Sequence, residues 1–296
     1  MRNMRYDKFS VADILIHVFL VIFSISILYP IYNVIVLSFC SYDGLLQAGT
    51  TLVFRPYGFT LNGYITFLTQ DNVLAGYYQT IFRTFAGTFA SIILMSMAAY
   101  AISKKKLIFN KFFTLMFVIT MFFSGGLIPG YLLIKNLHLL DNTLVYILGP
   151  LYNTFYVLIL RNFFMNIPES LEESCRIDGG NDIQIFWHVI LPLSKPALAT
   201  VCIWQMVNHW NAWFDSMLYI QTPTKQVLQM VVRRVVYEQS DLSAREGISF
   251  IQKGSMPTAE TLSAVAIIVA ILPIMIAFPF FKKYFNQGIM LGAVKE

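Results

Sequence analysis

The sequence predicts an all-α membrane protein with six transmembrane helices. Three observations carry that reading. The 296 residues are 57% hydrophobic and only 12% charged, about half the charged fraction of an ordinary soluble domain. Aromatic residues make up 16%, which suits a lipid-facing surface with interfacial belts. The apolar residues fall in continuous runs, without the two-residue alternation of barrel strands.

Six runs reach the roughly 20 apolar residues that a spanning helix needs. The first, 14–39, follows the basic start "MRNMRYDK". It is too long for a signal-peptide core and no small-residue cleavage site follows, so it is expected to be retained. The second, 80–103, contains Gly87 and Ser91, a small-xxx-small pair that suits helix packing. Arg83, near its start, is expected to snorkel to the outer interface. The third, 112–134, is interrupted near its outer end by "FSGGLIPGY". The fourth, 143–164, ends near Arg161, an expected interfacial anchor. The fifth, 197–220, follows a long polar segment. The sixth, 261–284, holds Pro273 and Pro279; such residues let a helix kink or line a cavity. The chain therefore reads as a single transmembrane domain, 1–296.

Lysine and arginine set the direction. They gather before the first run, in "SKKKLIFNK" between the second and third, around the polar segment 165–195, and in "FKKYFNQGIMLGAVKE" after the sixth. These regions belong on the cytoplasmic side, with both termini. The loops 40–79 and 135–142 carry few bases and suit the outside. The loop 221–260 holds five bases offset by four acids; its length allows it outside as well. Within it Leu228, Val231, Val232 and Val235 recur at helical spacing beside Arg233 and Arg234.

Cys40, Cys175 and Cys202 are odd in number and far apart, so no disulfide framework and no metal site is expected. The net charge of +5 fits loops facing an anionic leaflet. No basic stripe suggests nucleic acid as a partner.

The segment 165–195 predicts two short helices with a break. Pro168 and the acids after it suit a helix N-terminus. Gly179 and Gly180 stop that helix, and Asn181 or Asp182 caps the next. Pro192 is expected to stop the second helix. Ile183, Phe186, Trp187 and Ile190 fall on one of its faces. Spacing alone leaves three uses for that face: lying on the bilayer, packing on the spans, or docking to a partner.

Glu173, Gly179 six residues later, then Val189, Leu191 and Pro192 resemble the EAA loop of ABC-importer permeases, with Ser174 and Cys175 in place of the two alanines and Val189 in place of isoleucine. The wider wording, "RNFFMNIPESLEESCRIDGG" and "FWHVILPLSKPAL" in this loop, "AYAIS", "SGGLIPGYLL", "HWNAWFDSMLYI" and "KKYFNQGIMLGAVKE" elsewhere, is similar to the carbohydrate-importer, maltose-type branch. The resemblance implies the type I importer permease fold. It also implies that 165–195 is a coupling loop seated on an ATP-hydrolysing subunit. Glu173, Gly179, Gly180, Phe186, Trp187, Leu191 and Pro192 would form that contact, with Phe186 and Trp187 as buried anchors. The implied partners are two ATP-binding subunits, a second homologous permease subunit and an extracytoplasmic solute-binding protein, in a bacterial cytoplasmic membrane. The tail from Gly288 to Glu296 is expected to reach the ATP-hydrolysing subunits, and the 222–247 loop to meet the binding protein. The chain has no GxxxxGK[ST] phosphate loop, so ATP and Mg belong to the partners. No catalytic constellation is expected within it.

The fifth run is unusually polar. Trp204, Asn208, Asn211 and Asp215 fall within one arc of a helix, flanked by Gln205 and His209. Polar groups in lipid face a cavity or a neighbouring helix. They are read here as a sugar path, in which rings stack on the aromatic and hydroxyls bond to amides and carboxylate. The alternatives are interhelical hydrogen bonding and a His209–Asp215 proton relay in an ion-coupled secondary transporter. A same-architecture importer of another solute, such as a polyol phosphate, is the remaining alternative.

Overall fold

The structure, a computed structural model, describes residues 11–245 and 257–293. All regular structure among these residues is helical. Residue contacts group the chain into two units: residues up to Thr69 with Arg234–Ile271, and Gln70–Arg233 with the chain from Leu272 onward.

The first unit begins with α1, Val11–Leu37. Every side chain from Val11 to Leu28 is exposed, and only Val36 and Leu37 at its end are buried. They meet Cys40, Leu45, Val53 and Ala264 in a small core. After α1 the chain turns into α2, Tyr42–Ala48, whose start is capped by the Ser41 hydroxyl accepting from the Gly44 N–H at 3.1 Å. Next comes α3, Asn62–Leu68. The Thr261 hydroxyl donates to the Cys40 carbonyl at 3.4 Å and ties the last helix of the chain to this region.

The second unit starts with α4, Asp71–Phe82, which runs through a π turn, Arg83–Gly87, into α5, Thr88–Ser103. Together they form 33 continuous residues. The third expected span is two helices, α6 (Asn110–Phe122) and α7 (Leu127–Asn136), bent by 110° at the intervening residues. Gly126, at φ 87°, adopts a backbone that ordinary side chains resist. The fourth is a single turn α8, Val145–Leu148, then α9, Thr154–Met165, started by Asn153 accepting from the Phe155 and Tyr156 N–H groups. Two short helices follow, α10 (Glu169–Ile177) and α11 (Asp182–Ile185). A π turn, Phe186–Ile190, then leads into α12, Leu191–Leu193. The fifth span is α13, Lys195–Asn211, and α14, Phe214–Tyr219, separated by Ala212 and Trp213. Beyond a 3-10 turn at Pro223–Lys225 comes α15, Leu228–Arg245. The last described helix is α16, Ala259–Ala293, unbroken through Pro273 and Pro279. Each proline removes one N–H from the ladder, and one absent donor at each site does not end this helix.

Among the described residues, three helices are long and apolar enough to cross a membrane: α1, the α4–α5 rod, and Ala259–Ala277 of α16; the count rises to five if each bent pair is one span. The interruption expected in the third run is present between α6 and α7, and the fourth and fifth runs are broken as well, between α8 and α9 and between α13 and α14.

The core of the second unit joins α5, α9, α13 and the short helical segments between α9 and α13. Met95, Ala99, Tyr156, Val157, Leu160, Ile185, Ile190 and Val201 are all buried in it. Lipid tails are as apolar as these side chains, so within the bilayer such a core is held by close packing rather than by exclusion from water.

Candidate functional site

Two regions hold the residues singled out by the sequence. At one end of the second unit, α10 carries Glu169 and Glu172 in its first turn and Arg176 in its last, each matched to the helix dipole. It ends in a Schellman turn: the Gly179 N–H donates to the Arg176 carbonyl at 3.0 Å and the Gly180 N–H to the Cys175 carbonyl at 2.8 Å. Gly179 has φ 85° and open space around it, whereas a Cβ on Gly180 would lie 2.6 Å from Cys175 Sγ. One glycine therefore supplies a backbone angle and the other a close approach. Asn181 and Gln184 then form a capping box that starts α11. Arg176 pairs with Asp182 across the corner at 2.8 Å, both exposed.

The two helices and the end of α5 enclose an open cleft of about 840 Å³, lined by Lys104, Lys105, Glu173, Ile183 and Trp187 among others. Lys104 pairs with Glu172 and lies over the Tyr100 ring, 4.1 Å from its centre. Glu173 is exposed beside it. Leu191 packs at the edge of the core, and Pro192 is exposed.

Two expectations change here. Phe186 is buried in the chain's own core, 5.4 Å from the Tyr100 ring, so it is no free anchor for a partner. Trp187 and Ile183 are 48% and 70% exposed. The inward face is Ile185, Phe186 and Ile190; the predicted stripe straddles its edge. The second helix ends at Leu193, one residue past Pro192, and the chain turns by 82° into α13. The Leu191 N–H donates five residues back to Phe186, and this wide turn just ahead accommodates the ring. Arg161 is likewise no simple interfacial anchor: its Nε donates to the Ile102 carbonyl at 3.0 Å, satisfying the end of α5.

The second region is the polar half of α13. Its six candidates separate into three groups. Gln205 and His209 are buried. Gln205 Nε2 donates to Ser91 Oγ at 3.2 Å and to the Pro150 carbonyl at 3.0 Å, and lies 3.2 Å from His209 Nε2. His209 in turn lies so close to Gly87 that a Cβ there would be 2.6 Å from its Cε1. These two residues join helices, and Gly87 and Ser91 are the small residues that admit them. Trp204, Asn208 and Asn211 form the second group. Trp204 stacks on Tyr156 with ring centres 5.8 Å apart, and Asn208 donates to the Tyr156 hydroxyl at 2.7 Å. Asn208 and Asn211 are exposed and Trp204 is half-buried, so they present an aromatic and two amides along one side.

Asp215 stands apart. The expected arc does not reach it, because α13 ends at Asn211 and Ala212 is extended, with ψ 129°. Asp215 pairs instead with Arg83, whose Nη1 donates to Oδ1 at 3.0 Å and Nη2 to Oδ2 at 2.6 Å. Arg83 is fully buried; the expectation that it snorkels to an interface is corrected. A buried guanidinium demands a carboxylate, and one was present on another span; that demand was the signal available in the sequence.

Sequence reading also missed a clamp outside the apolar runs. Asp141 accepts from the Gln221 and Thr222 N–H groups, the Thr222 hydroxyl and Lys225 Nζ, at 2.7 to 3.1 Å. These bonds hold its carboxyl well below the usual carboxylate range, the Thr222 bonds first. Beyond the clamp α15 is helical as the spacing predicted; Leu228, Val231 and Val232 are buried within the chain and Val235 is half-buried, and Arg233 lies 3.8 Å above the Trp213 ring. Residues 246 and 247 of that expected contact, and 294–296 of the tail, lie outside the described residues. Among the described residues no group of three His, Cys, Asp or Glu could hold a metal.

A family model described as the binding-protein-dependent transport system inner membrane component matches residues 8–291. The chain is similar to a polygalacturonan/rhamnogalacturonan transport system permease protein of Bacillus subtilis, at 37% identity over 97% of this chain and 99% of that one. It is also similar to an sn-glycerol-3-phosphate transport system permease protein of Yersinia enterocolitica, at 27% identity over 94% and 96% of the two chains. A crystal structure of a bacterial ABC transporter involved in the import of the acidic polysaccharide alginate superposes with a TM-score of 0.83, at 31% identity, over 94% of this chain and 99% of that chain.

Proposed function

The chain belongs to the family of binding-protein-dependent transport system inner membrane components, the permease subunits of ABC importers, and from that premise we propose how it moves an oligo- or polysaccharide. It has no ATPase site of its own. In this reading six spans place both termini in the cytoplasm of a bacterial cell. A second permease subunit completes the path, two ATP-binding subunits holding ATP and Mg supply the force, and an extracytoplasmic binding protein delivers the solute. The α10–α12 corner seats on an ATP-binding subunit through Glu173, Ile183 and Trp187, and its rigid glycine turn transmits that subunit's closure to α13.

The observation that carries the saccharide reading is the exposed row Trp204, Asn208 and Asn211 on α13. An indole face suits the apolar face of a sugar ring, and amides donate to and accept from hydroxyls without a fixed charge. Relatives named for galacturonan and alginate transport favour the same class. The glycerol-phosphate relative keeps a polyol phosphate as a second reading. A phosphate dianion asks for a free cation, however, and Arg83 at this level is already committed to Asp215.

The test is uptake into vesicles by the reconstituted complex, with a panel of galacturonan, alginate and neutral oligosaccharides and a glycerol phosphate. Trp204→Ala and Asn211→Leu should each lower uptake per assembled complex by about tenfold, a loss of ~1.4 kcal/mol. Unchanged saccharide uptake in both variants would reduce the row to packing. Uptake of the phosphate alone would select the second reading.

A further inference from the structure

The fifth span breaks where its local sequence gives no reason to break. Ala212 is neither glycine nor proline, and Trp213 supplies no side-chain cap to α14. What meets the break comes from another helix. Arg83 Nη1 donates to the Ala212 carbonyl at 3.3 Å as well as to Asp215. Its guanidinium carbon lies 4.7 Å from the centre of the Tyr146 ring. The Tyr146 hydroxyl bonds Ser216 Oγ at 2.8 Å and donates to the Lys225 carbonyl at 2.9 Å. Arg83 itself opens the π turn of the α4–α5 rod. Such turns recur at functional sites, because the extra residue re-aims a side chain.

We propose that Arg83 is a positioning residue for the transport path. It holds the Ala212 carbonyl and both oxygens of Asp215, and so fixes the end of α13 and the direction of its last residue, Asn211. The planar fork is what the site uses: one guanidinium meets the Ala212 carbonyl and both carboxylate oxygens of Asp215 at once, a bidentate match that a point-charge ammonium makes only in part. Asp215 serves as the counter-charge, with its side chain 21% exposed against 1% for Arg83. It would contact solute only by giving up that pair. The proposal rests on the reading of Trp204, Asn208 and Asn211 as the path.

The test uses the full reconstituted complex and, as probe, the saccharide that wild-type vesicles take up from the panel above. Cys40, Cys175 and Cys202 are replaced by alanine, and a parallel set of complexes, used for labelling only, carries Asn211→Cys, which reports the end of α13 through its rate of labelling by a water-soluble maleimide; uptake is read with Asn211 intact. Arg83→Gln leaves Asp215 unpaired and risks misassembly, so Arg83→Gln/Asp215→Asn, which removes both charges, accompanies it. Arg83→Lys is the conservative rescue. In the double variant, labelling at position 211 should change by about tenfold. The half-saturating solute concentration should rise by a similar factor, while maximal uptake per complex changes less. Arg83→Lys should recover part of both. Lower yield or melting temperature with wild-type labelling and half-saturation would show a merely structural pair and overturn the proposal. So would altered labelling with normal uptake. Asn211→Leu is scored separately. If it slows uptake while the Arg83 variants do not, the path stands and the positioning role falls. If the Arg83 variants act but neither Asn211→Leu nor Trp204→Ala does, both readings fall.

Discussion

Phe186 and Trp187 are neighbours in the chain and have opposite surroundings. Phe186 is 4% exposed against Tyr100, while Trp187 is 48% exposed at the cleft. Phe186→Ala should therefore cost the chain itself roughly 3–5 kcal/mol, the range for emptying a buried aromatic site. Trp187→Ala should leave the melting temperature of the chain nearly unchanged. It should weaken capture of the ATP-binding subunit by about 2 kcal/mol or more if the indole is an interface anchor. Thermal melting and pull-down on the same two variants separate these outcomes; equal effects on melting would contradict the assignment. The sequence made the aromatic face legible but not which side of it turns inward. That choice depends on Tyr100, 86 positions away. By contrast the Gly179–Gly180 stop and the Asn181 cap were legible because each is settled within five residues.

Among elements, those whose ends are written locally were found and those held by distant groups were not. The glycines of "FSGGLIPGY" announced the bend between α6 and α7. Nothing at Ala212 announced the end of α13, since Arg83 lies 129 positions earlier. The clamp at Asp141 was missed for the same reason: Thr222 and Lys225 reach it from 81 and 84 positions away. Its chemistry makes a pH prediction. A carboxyl whose folded-state pKa is lowered contributes stability that is fully present above its unfolded value of about 4 and is lost as pH falls through the folded value. Asp141→Asn should thus lower the melting temperature of the complex by the same amount at roughly pH 7 and pH 5, with the gap closing only below about pH 4. A gap that already closes by about pH 5 would show that the clamp is not held by the ionised carboxylate.

The whole molecule sets two kinds of helix in one chain. The α4–α5 rod is 44% buried along its most apolar stretch, whereas the corresponding stretch of α1 is 0% buried. At 27 residues, α1 is about 40 Å long, more than the ~30 Å of hydrocarbon it must cross. Permuting Ile, Leu, Val and Phe among positions 14–28 should therefore leave insertion intact, as read by thiol accessibility at the two ends. Loss of insertion would mean that its order, and not only its length, is read. Inheritance would then treat the two regions differently. Neutral drift should accumulate along α1, where one aliphatic residue can stand for another within this chain. It should be rare at Gly180, where a single added carbon meets Cys175. A mutational scan under selection for growth on the transported sugar would display that contrast as a tolerant stretch and a silent position beside it, without any knowledge of the fold.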